Sequence, residues 1–141
     1  MALIVGVILA LLEISFADPI LFTPSSEEVV EAFRGAGLEV GKSYPVRREP
    51  GWEESSVADS FVEGTRFEIP SLGRDAGGRV FVCRSPDDLE MMRSYYIDIE
   101  AFFGPSHHSH LYDEGLVLLQ INGRLPKVQA DRYGSVLEEV V

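Results

Sequence analysis

The stretch from Gly78 to Phe103, GRVFVCRSPDDLEMMRSYYIDIEAFF, constrains the fold more than any other part of the chain. Residues Arg79–Arg84 are rich in β-branched and aromatic side chains and lie between Gly77-Gly78 and Ser85-Pro86, which marks a strand with turn chemistry at both ends. Alternation sets Val80 and Val82 on one face and Phe81 and Cys83 on the other. Both faces are apolar, so the strand is expected to be central and covered on both sides. Ser85 then offers an N-cap oxygen, and Pro86 suits the first helical position, where its missing N–H costs nothing. Asp87, Asp88 and Glu90 favour the positive helix end. Leu89, Met92, Tyr96, Ile99 and Phe103 recur at steps of three and four as a core stripe, and Gly104-Pro105 stops the helix.

The flanking segments follow the same logic. Ser25 and Glu28 are spaced as a capping box ahead of Val29, Val30, Phe33 and Ala36, which predicts a first helix ending near Gly35 and Gly37. Leu38–Val46 has some strand character, broken by Gly41 and Pro45. In Phe61–Pro70, Phe67 and Ile69 alternate with Arg66 and Glu68, as in a strand with one wet face. Ser71–Gly78, SLGRDAGG, lacks the Gly-Lys-Ser/Thr ending of a phosphate loop and precedes a strand rather than a helix, so it reads as a wide connection. Ser106–Tyr112 and Gly115–Ile121 form a hairpin around Asp113-Glu114-Gly115. Asn122-Gly123 turns the chain into a last helix from Pro126 to Glu139, with Val128, Tyr133, Val136 and Val140 inward and Leu125 packed back as a staple.

This order, α-β-β-α-β-β-α, predicts an α+β domain: a mainly antiparallel sheet of four or five strands with about three helices packed on one face. Hydrophobic content of 45% beside 25% charged residues is that of a globular chain. A formal net charge of -11 disfavours nucleic acid and anionic lipid as partners, since both need cationic surface.

Residues Ala2–Leu12, ALIVGVILALL, form an unbroken apolar run. It is shorter than the ~20 residues of a membrane span and fits a signal-peptide core. Ser15 and Ala17 stand three and one positions before a cut ahead of Asp18. Residues 1–17 are therefore read as a signal peptide or membrane-anchor-like segment and 18–141 as one domain, which predicts an extracytoplasmic chain, secreted or membrane-anchored. A cytoplasmic protein with a buried first element is the alternative.

Two sets of residues carry candidate function. Lys42–Ser60 has no regular period and holds Arg47-Arg48, the only basic pair, with Tyr44 and Trp52 close by. Arg and exposed aromatics anchor binding surfaces, so Tyr44, Arg47, Arg48 and Trp52 are candidate contacts to a protein or small-molecule ligand. All three histidines, His107, His108 and His110, fall within four residues. On a strand, His108 and His110 share a face with Tyr112 and are candidate zinc ligands, with Asp113, Glu114 or Cys83 as a third. No cofactor beyond that zinc is suggested. Gly-X-Ser-X-Gly and His-Glu-X-X-His do not occur, and the acidic pairs sit mostly at helix ends or in the loop. The expectation is a non-catalytic binding module, with a metal-binding protein or metal-dependent enzyme as the alternative.

The phrases FTPSSEEVVEAFRGAGLEVG, GTRFEIPSLGRDAGGRVFV and VLLQINGRLPKVQADRY resemble small bacterial proteins that follow a signal or membrane anchor, some of them lipoproteins. The likeness spans about Phe22 to Val140. It implies an envelope location and assigns no activity or site residue. No Cys directly follows the apolar run, so lipid attachment is not implied.

Overall fold

The computed structural model describes residues 22–47 and 56–141; segment 1–17, Arg48 and Trp52 lie outside them. In chain order the elements are α1 (Ser26–Gly35), β1 (Ser43–Pro45), β2 (Glu63–Glu68), β3 (Gly77–Val82), α2 (Pro86–Phe103), β4 (Ser109–Glu114), β5 (Val117–Asn122) and α3 (Lys127–Val140). Short 3-10 turns occupy Ser56–Asp59, Pro70–Leu72 and Pro105–His107. The fold is α+β. Five strands form one sheet in the order β1-β2-β3-β5-β4, and every neighbouring pair is antiparallel. The short β1 adds an edge strand to the expected order. No helix among the described residues is long and apolar enough to cross a membrane.

Local chemistry sets the helix starts. The Ser25 hydroxyl accepts from the Glu28 N–H and the Ser85 hydroxyl from the Asp88 N–H, both at 3.1 Å, satisfying amides that a helix's first turn leaves unpaired. The start of α1 is also tied to β2, where Ser26 Oγ lies 2.8 Å from Thr65 Oγ1.

The helices do not all pack on one face, as the sequence reading expected. α1 and α3 cover one side, where Val29, Phe33, Tyr133 and Leu137 meet Phe67, Val80, Leu119 and Ile121. α2 covers the other, where Leu89, Met92 and Tyr96 meet Phe81, Cys83 and Leu118. The two apolar faces of β3 require this division, since a one-sided arrangement leaves Phe81 and Leu118 in water.

Two predicted helix faces are corrected. On α2, Leu89, Met92 and Tyr96 are buried, but Phe103 is 60% exposed. An 18-residue helix is about 27 Å long, whereas six-residue strands span about 20 Å, so the helix is longer than the strands it covers. On α3 the inward line is Ala130, Tyr133, Gly134 and Leu137, while Val128 is 79% exposed. Small residues belong there because the helix lies close to the sheet: a Cβ on Gly134 would meet the Tyr112 ring.

Candidate functional site

The histidines collect where α2 hands over to the edge strand β4. Gly104 ends α2 with φ 93, its N–H donating to the Glu100 carbonyl at 2.8 Å. The 3-10 turn at Pro105–His107 then reverses the chain, so the strand begins at Ser109 rather than Ser106, and His107 stays on the exposed turn. The reversal brings His108 back against the helix, with Nδ1 2.9 Å from Glu100 Oε2. His110 follows on the same side, its ring centroid 5.0 Å from that of His108 and nearly perpendicular to it. Its Nε2 donates to the Leu125 carbonyl at 2.7 Å.

Beyond His110 the row continues into α3. Tyr112 donates to Asp131 Oδ1 at 2.7 Å, and Lys127 Nζ reaches both oxygens of the same carboxylate at 3.0 and 2.9 Å. His108, His110, Leu111, Tyr112, Lys127 and Asp131 line an open groove of about 470 Å³. Burial, then the bond to Asp131, pushes the Tyr112 phenol well above its ordinary range. The bonds from Lys127 and Tyr112 hold the Asp131 carboxyl below its ordinary range. Tyr112 is therefore a fixed donor, and Asp131 an ionised acceptor with its charge balanced.

Asp131 carries a pH prediction. Its folded pKa lies below the unfolded value, so its contribution is complete above the ordinary carboxylate pKa of about 4 and is lost as pH falls through the folded value. Thermal melts of wild type and Asp131→Asn should differ by a constant amount near neutrality. The difference should shrink below about pH 4. A gap that widens in acid excludes this role.

His108 and His110, the candidate zinc ligands, stand side by side, each with one ring nitrogen outside the hydrogen bonds just described. The third ligand is not supplied. Asp113 points to the other face of β4, where Arg93 Nη1 donates to it. Cys83 is fully buried beneath α2, and burial, with a smaller effect of Asp88, pushes its thiol up to about 12. Among the described residues, no group of three His, Cys, Asp or Glu side chains is placed to hold a metal ion.

The other candidate set is remote. Tyr44 lies on β1, the opposite edge, about 19 Å away at ordinary strand spacing. Its hydroxyl donates to Glu68 Oε1 at 2.9 Å, and that bond raises the phenol's pKa. Arg47 follows β1 and is exposed. Arg48 and Trp52 lie outside the described residues.

Sequence reasoning passed over Lys127, Asp131 and, most notably, Phe102. Phe102 is 81% exposed beside the exposed Phe103, their rings edge to face at 4.9 Å, and Phe103 in turn lies 5.0 Å from the His107 ring. The signal was present: successive helical residues point about 100° apart, so two adjacent Phe near a helix end do not share a narrow inward stripe. Compared with protein-family models, curated proteins and solved structures, the chain matches none of the three.

Proposed function

We propose that this chain is a non-catalytic binding domain, exported or membrane-anchored through its first 17 residues, that docks a partner protein at the end of α2. The exposed ring cluster of Phe102, Phe103 and His107 carries this reading. A chain of net charge -11 is otherwise well suited to remain solvated and alone, and adjacent exposed aromatics on a regular helix serve no core. Aromatic side chains are the usual anchors of protein interfaces, and His108, held by Glu100, extends the same surface toward the start of β4. The groove beside it supports recognition, because its phenol, ammonium and carboxylate are engaged with one another.

The test compares proteins cross-linked in living cells to wild type, to a Phe102→Ala/Phe103→Ala variant and to Arg47→Ala. Loss of two anchors should weaken capture on the order of tenfold or more while leaving stability within about 1 kcal/mol. Arg47→Ala, at the far edge, should capture normally. Dependence on Arg47 with none on the Phe pair transfers the binding role to the set of Tyr44, Arg47, Arg48 and Trp52 and ends this assignment. Fractionation with N-terminal sequencing of the same material tests the location: intact chain starting at Met1 in the soluble cell interior rejects it.

A further inference from the structure

Resting on that reading of the chain as a protein-binding domain, the outer side of α2 specifies the chemistry of the partner. Asp87, Met91, Tyr95, Asp98 and Phe102 recur at steps of four, four, three and four, so they form one line about 22 Å long down the helix. Met91 is exposed, as are Phe102 and Phe103 at its end. Between this line and the Ser56–Asp59 turn lies an open concavity of about 590 Å³, whose wall includes Val57, Glu90, Met91, Ser94, Tyr95 and Asp98. The line thus mixes acidic Asp87 and Asp98 with Met91 and Tyr95 along a shallow groove, with Phe102 just past its end.

The charge is one-sided. α2 bears five carboxylates against a single guanidinium, and that one, Arg93, is turned toward Asp113. Asp87 has a structural reason to be acidic at the positive helix end. Asp98 has none: it lies in the helix's second half, and the last turn holds no basic residue to complement the dipole. Neither Glu90 nor Asp98 has an ion pair among the described residues. A local rule broken without a structural gain is expected where a surface serves a partner. A second copy of this chain, also at -11, would bring like charge to the groove.

We propose that this face takes a basic amphipathic segment of the partner protein, its apolar side chains on Met91 and Phe102 and its Lys or Arg side chains against Glu90 and Asp98. The segment crosses the helix line as an apolar stripe crosses a groove. Its cations supply the charge that α2 lacks.

The experiment uses the full chain and two synthetic amphipathic peptides of about 14 residues, roughly four helical turns, with identical apolar positions and either Lys or Glu at the polar ones. Binding is followed by fluorescence anisotropy at low salt and at ~0.3 M, where exposed charges are largely screened. The Lys peptide should bind, more weakly at high salt, and the Glu peptide should not. Glu90→Gln/Asp98→Asn should weaken the Lys peptide about fivefold, and Glu138→Gln/Glu139→Gln, which removes equal charge from exposed α3, should not. Met91→Ala should weaken binding while leaving its salt dependence intact. Equal loss from both charge-removing variants shows attraction to net charge alone and overturns the proposal. Equal binding of the two peptides, lost in Phe102→Ala/Phe103→Ala, also overturns it but leaves the protein-docking role standing. No binding of either peptide, with cellular capture indifferent to the Phe pair, defeats both.

Discussion

Replacing Phe33 with Ala should cost about 3–5 kcal/mol of unfolding free energy, the range for a large aromatic side chain lost from a packed interior. Phe33 is 0% exposed and lies where three elements converge. Its ring is 5.6 Å from Phe67 of β2 and 5.3 Å, edge to face, from Tyr133 of α3. Phe67 and Tyr133 are themselves stacked at 6.0 Å. Removing Phe33 therefore breaks two ring contacts and opens a void that the third pair is too constrained to fill, because Tyr133 is held by its hydroxyl's 2.6 Å bond to the Glu39 carbonyl. Against a total stability of about 5–15 kcal/mol for an ordinary domain, that loss brings the protein near unfolding. Urea denaturation followed by circular dichroism measures it. Phe102→Ala is the internal comparison: the same chemical deletion at an exposed site should cost no more than about 0.5 kcal/mol. Similar costs at the two positions would mean that Phe102 is packed and unavailable to a partner.

The unequal fates of these two phenylalanines show where sequence reasoning reaches and where it stops. Phe33 follows a capping box and recurs with Val29 and Val30 on a short helix, so its burial was legible from local pattern. The β3–α2 unit was legible for the same reason, down to the Ser85 cap and the Gly104 stop. The side of the sheet each helix covers was not, because amphipathic spacing shows that a helix needs cover without saying which sheet face supplies it. Only the double apolar character of β3 held that information. On α3 the β-branched Val128 and Val140 looked like core, whereas Ala130 and Gly134 face inward because the Tyr112 ring needs room. That Tyr44 and the histidines occupy opposite edges depends on the strand order, a long-range property with no local signature. Only His110 lies on the strand that alternation predicted; His108 precedes it, and their partners Glu100 and Leu125 come from other elements.

A second large loss is expected from Gly77→Ala, about 3 kcal/mol or more, although the change adds only one methyl group. The sequence pattern treats Gly77-Gly78 as the tail of a loop, but both residues belong to β3 and pair with β2 opposite Glu68 and Phe67. A Cβ on Gly77 would press into the Phe67 carbonyl oxygen and stand 2.8 Å from the Ile69 nitrogen and 2.9 Å from the Glu68 Cα. All three are backbone atoms of β2 and the residue after it, so no side chain can swing aside. Relief requires the strands to part beside the 2.8 Å bond from the Ile69 N–H to the Ala76 carbonyl. Gly35→Ala provides the contrast, since a Cβ there meets nothing within 4 Å and Ala is the better helix former by roughly 0.8–1 kcal/mol. Thermal melts should therefore move in opposite directions for two chemically identical substitutions. If Gly77→Ala melts with wild type, β2 and β3 are not in the register described. The path of β3 into α2, and with it the position of the acidic, aromatic helix face proposed for the partner, would then have to be set anew.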